Sequence, residues 1–152
     1  MNGIQTDLRA LKIVYGALIA GVTFFLGVTM YLHTMSGPFL TDQQMYVIML
    51  GIANALAFST IPVGFFLFKK RIENIDSISG TREKLARFRE AMILRAATME
   101  GPAFFFVVCF MLFGNFVFAG EAVLVLILMA YFFPTNEKIA AEIHIDAGEL
   151  NQ

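Results

Sequence analysis

Four long blocks of the chain carry almost no charge, and that pattern limits the fold more than any other feature. Ile13–Leu32 and Gln43–Phe68 contain no charged residue at all. Ala96–Gly120 contains only Glu100, and Phe116–Phe133 only Glu121. A bilayer core about 30 Å thick needs roughly 20 apolar helical residues, with about 17 as a lower bound. The first three blocks meet that length and the fourth, at about 18, falls within the range. Composition agrees, because 15% of the 152 residues are charged, against about 25% in a soluble domain. Backbone groups in lipid are satisfied only by helices or closed barrels. Barrel strands alternate apolar with polar over about ten residues. These blocks are continuously apolar, which predicts an all-α integral membrane protein, a four-helix transmembrane bundle.

The basic residues orient it. Cytoplasmic flanks collect Lys and Arg. With spans at about 13–33, 45–68, 91–113 and 116–133, all 11 basic residues fall at one end. Arg9 and Lys12 precede span one. Lys69, Lys70, Arg71, Arg82, Lys84, Arg87 and Arg89 occupy the connection 69–90. Arg95 enters span three from that end, and Lys138 follows span four in the tail 134–152. The expectation is a single membrane domain, 1–152, with both termini cytoplasmic, in a bacterial inner (cytoplasmic) membrane. Span one is too long for the 7–15-residue core of a secretory signal, so it reads as an uncleaved span.

Local signals refine the ends. Thr81 is a candidate cap for a helix that carries Leu85, Phe88 and Met92 at helical spacing and runs on into span three. Pro134 ends or kinks span four. Thr135 can then cap a short amphipathic tail with Ile139 and Ile143 on one face. Small residues in span two, from Gly51 to Gly64, permit close helix packing, and Pro62 is a kink candidate.

Glu100 is the polar group that most needs a reason. A charged acid at a helix centre costs about 2.5–3.5 kcal/mol on insertion scales. Its neighbours on the same face, Ala96, Ala97, Ala103 and Phe104, are mostly small, which points the carboxyl into the bundle or at a partner. Arg95 lies five residues away, about 140° round the helix, and so is poorly placed for a direct pair. Its long stem can instead carry the charge to the interface. By depth, Ser59 and Thr60 of span two are level with Glu100 and can donate to it, with Asn54 a higher polar station. Gly101 and Pro102 follow as a candidate local helix distortion, because the proline ring opposes the carbonyl of Thr98. A protonated carboxyl can donate to that carbonyl. Two readings follow: a site that gains and loses a proton or cation, or a structural acid that fixes helix register. Glu121, close to the start of span four, reads as an interfacial charge that snorkels to the headgroups. Cys109 reads as a small core residue.

No metal or cofactor site is expected. His33 and His144 fall on opposite membrane faces, and neither lies in a ligand cluster. Without a phosphate-binding glycine loop or a nucleophile–base pair, an enzyme is not expected either. Expected partners are the lipid bilayer and further copies or another membrane subunit, and no nucleic acid.

Spans two and three resemble the proteolipid (c-subunit) hairpin of rotary ATPases. They share a small-residue helix, Gly51–Gly64, a basic turn around Lys69–Arg89, and a mid-membrane carboxylate, Glu100 in "RAATMEGPAFFF". That resemblance implies proton translocation on Glu100. It covers half the chain, lacks the alternating-glycine run, and leaves spans one and four over. The whole chain also resembles a group of small uncharacterised four-span bacterial membrane proteins. The resemblance rests on Glu100-Gly101, the Gly114-Asn115 turn, and "PTNEK" from Pro134 to Lys138. The readings carried forward are a membrane subunit with a proton- or cation-responsive Glu100, a purely structural subunit, and a small proton-coupled exporter acting as an oligomer.

Overall fold

The computed structural model describes residues 2–73, 75–78 and 80–143. It is all-helical among these. Helix α1 spans Asn2–Ser36, α2 Gln43–Ile72, α3 Thr81–Phe113, α4 Phe116–Tyr131 and α5 Asn136–Ile143, with a 3-10 turn at Ile75–Ser77. Three helices are long and apolar enough to cross a membrane. A fourth crossing arises if α4 and α5, bent by 72° at the break between them, count as one span. The all-helical expectation therefore holds, and α4 is the helix that falls short on its own.

The helix ends follow from local chemistry. Asp42 caps α2 by accepting from the Gln44 and Met45 amides at 2.8 and 3.0 Å. Gly114 closes α3 in the left-handed region at φ 63°, a conformation that suits a residue without Cβ. A side chain there would also strike His33, whose Cε1 lies 2.4 Å from the ideal Cβ position. Asn115 starts α4 by accepting from the Val117 amide at 3.0 Å. One glycine and one asparagine thus end one helix and begin the next. Thr135 caps α5 as expected, its hydroxyl accepting from the Lys138 amide at 3.4 Å. Thr81, by contrast, is the first residue of α3. The cap position is Gly80, which has no side chain to offer.

Helix α3 is the hub. Half of its most apolar window is buried, against 11% for α2 and 22% for α1, so the other helices pack on α3 more than on one another. Helices α2 and α3 approach closely at Gly64, where a Cβ would stand 1.8 Å from Thr98 Oγ1. The small-residue expectation for span two holds at that position. Gly51, one of the same series, meets nothing within 4 Å.

The core has two parts. The part at the basic end joins Leu8, Leu11 and Tyr15 of α1 to Phe68, Ile75, Leu85, Phe88, Met92 and Ile139. The other joins Val22 and Leu26 to Met99, Phe106, Phe110, Phe118 and Met129. Helix α3 therefore runs unbroken past its apolar block, and its first turns are held to α1 by Arg89 and Arg82, at 3.6 and 3.9 Å from Asp7. The expected connection 69–90 is thus mostly helical: α2 extends to Ile72 and α3 begins at Thr81.

Candidate functional site

Glu100 faces away from the point where α3 meets α2 at Gly64. Thr60 and Gly101, the residue after Glu100, line one apolar hollow with Leu56, Thr98 and Pro102. Thr98 of α3 meets α2 at Gly64. Two residues on, Glu100 is turned about 200° from that direction. It lies instead one turn before Phe104, whose ring meets Phe25 of α1 at 5.6 Å. Glu100 is half-buried and has no hydrogen-bond partner among the described residues.

The proposed donors are occupied elsewhere. Thr60 donates to the Leu56 carbonyl at 2.8 Å, and Ser59, exposed on the outer side of α2, donates to that same carbonyl at 2.9 Å. A hydroxyl bonded back to its own helix is satisfied locally. Pro102 is buried and α3 continues through Gly101–Pro102 as one helix.

Asn54 finds a different acid. Its amide nitrogen donates to Glu121 Oε1 at 2.9 Å and to the Leu50 carbonyl at 3.0 Å. Glu121 Oε2 is buried without a partner among the described residues. The expectation that Glu121 snorkels is therefore corrected. Asn54 lies about 16 Å along α2 from Gln43 by helical rise, within that helix's charge-free run, and Glu121 is held at the same level. The two residues close one end of a groove between α2 and α4. Ala57, Ile61 and Pro62 form one wall, Leu124 and Val125 the other, and Phe106 of α3 lies between them. At the far end Phe65 and Phe132 meet edge to face at 4.8 Å.

Arg95 is the larger surprise. Its side chain does not reach out from the bundle; the residue is 5% exposed. The guanidinium carbon stands 4.0 Å from the ring centre of Phe68, 4.6 Å from that of Phe132 and 5.5 Å from that of Phe65. One terminal nitrogen donates to Met92 Sδ at 2.9 Å. Nε has no partner among the described residues. Arg95 and Glu100 form no ion pair there, in line with their spacing.

The signal for this burial was present in the sequence. Leu85, Phe88 and Met92 form a stripe at steps of three and four, and the next step lands on Arg95 and Ala96. Both are buried. Glu121 likewise falls beside the stripe Phe118, Ala122, Val125 and Met129 that packs α4 on the core.

His33 packs its ring on Phe110 and Phe116 at 5.5 and 5.9 Å, beside the α3–α4 turn. His144 lies outside the described residues. Cys109 is a buried free thiol, consistent with a small core residue. The chain matches no protein-family model, no curated protein and no solved structure.

Proposed function

We propose that the chain is a multi-span membrane protein that works as part of a larger assembly, of its own copies or with another membrane subunit, with Glu100 as its proton- or cation-responsive group. One observation carries the reading: this carboxyl lies in the apolar part of α3, half-buried, with no hydrogen bond among the described residues. An acid at that depth is costly and calls for a partner. Asn54, Thr60 and Ser59 are spent on other acceptors, so the partner is a proton, a cation or a donor from outside the bundle. Gly101 beside it meets nothing within 4 Å, which leaves room for another helix to approach closely. Glu121 differs in already holding Asn54, and reads as a structural tie.

In this reading the basic end faces the cytoplasm of a bacterial inner membrane, and both termini lie there. The proteolipid likeness of α2 and α3 supports ion movement at an interface between copies, because a bundle centred on one packed helix leaves little room for a path of its own.

Glu100→Gln and Glu100→Ala in proteoliposomes test it. Loss of proton or sodium flux in both variants, with assembly retained in Gln, supports a titrating site. Flux and assembly unchanged in both variants would refute any role for the carboxyl. Assembly lost in Ala but kept in Gln, with no flux in wild type, replaces ion movement with a packing role.

A further inference from the structure

Where α4 bends into α5, a cavity of about 250 Å³ opens beside α3. Its walls include Met92, Arg95, Phe132, Pro134, Lys138 and Glu142. We propose that this cavity binds a phosphate-bearing anion, with Arg95 as the buried anchor and Lys138 as the rim cation.

The argument starts from Arg95. A guanidinium carries five N–H donors in one plane. Here one terminal nitrogen reaches a thioether sulfur, a weak acceptor, and Nε reaches nothing among the described residues. Three aromatic rings offset the charge, but a ring face supplies no lone pair to the N–H groups. Removing such an ion from water is costly, and an incompletely bonded one is expensive to keep. The cavity lies against this unfinished hydrogen-bonding plane. Bidentate acceptance by a phosphate or carboxylate would complete it.

Charge and depth select phosphate. The polar lining holds two cations, Arg95 and Lys138, against one acid, the exposed Glu142. Lys138 donates to the Tyr131 carbonyl and lies 5.1 Å from that residue's ring centre, so it is fixed at the mouth. Phe68, against which Arg95 packs, is the last residue of α2's charge-free run, and Lys69, Lys70 and Arg71 follow it. The cavity is therefore level with the edge of the apolar slab, where phospholipid phosphates reside. Its volume is below the roughly 300–1,000 Å³ of drug-sized pockets and suits a headgroup or a free phosphate.

The test uses the full chain in neutral detergent, titrated with phosphatidylglycerol, with phosphatidylcholine as the control and inorganic phosphate as competitor. Native mass spectrometry reads bound lipid. Wild type should retain phosphatidylglycerol in preference to phosphatidylcholine. Arg95→Gln should weaken binding by roughly ten- to a hundredfold, as expected for a lost charged hydrogen bond. Lys138→Gln, altered only at the exposed rim, should weaken it by a smaller factor, and decides the matter if Arg95→Gln fails to fold. Displacement by millimolar inorganic phosphate assigns a soluble anion as the occupant, and resistance to it assigns the lipid. Wild type that holds neither probe, or a folded variant that binds as wild type does, overturns the proposal.

Discussion

At the scale of single residues, the bundle depends on a few positions where no other side chain fits. Gly64 is the clearest, because Thr98 Oγ1 lies 1.8 Å and Thr98 Cβ 2.8 Å from where its Cβ would stand. The obstruction includes the branch carbon, so rotation of the threonine alone does not relieve it. Gly64→Ala should lower stability by about 1–3 kcal/mol, the usual cost of overpacking. Adding Thr98→Gly should restore part of that loss, read as melting temperature in a fixed detergent. Gly51→Ala, which meets nothing within 4 Å, should leave the melting temperature unchanged. The same comparison separates glycines that hold helices together from those that only line the apolar surface.

At the scale of helices, the tie between Asn54 and Glu121 joins two elements that otherwise pack on α3. A double-mutant cycle with Asn54→Leu and Glu121→Leu should give a coupling of about 0.6 kcal/mol and at most about 1.7, the range found for hydrogen bonds between helices in membranes. A snorkelling Glu121 would give none. Order along each helix was legible beforehand: counting residues from the basic ends gave Glu100 and Thr60 one level, and Thr60 and Gly101, the residue after Glu100, line one hollow. Direction round the helix was not, since Glu100 is turned away from α2 while Glu121, assigned to the interface, meets Asn54. Long apolar helices have hydrophobic residues on every side, so the polar–apolar contrast that marks the inner face of a soluble helix is missing. The stripe from Leu85 to Met92 was the exception. It pointed to Arg95, whose flexible stem had suggested an escape to water that the surrounding phenylalanines leave unused.

For the molecule as a whole, the apolar blocks were enough to establish helices and their order. Which helix lies at the centre was not legible, because the centre is decided by which surfaces find one another, and span two carries more small residues than span three. Sidedness is the global property most open to test. With Cys109 replaced by Ala, single cysteines at Thr41 and Glu73 should react with an impermeant maleimide from opposite faces of the membrane. Glu73 and the amino terminus should react from the same face. Labelling of Thr41 and Glu73 from one face would rule out the orientation inferred from the basic residues.

The brevity of α4 also bears on the surrounding lipid. Its 16 residues rise about 24 Å, against a hydrocarbon slab of about 30 Å. As the fourth crossing, α4 would require acyl chains beside it to shorten or the bent tail to sink to meet them. Melting temperature in nanodiscs should accordingly be higher with fourteen-carbon chains than with eighteen-carbon chains. In a mixed membrane the protein would then drift toward the thinner regions, taking its place by fit to the bilayer.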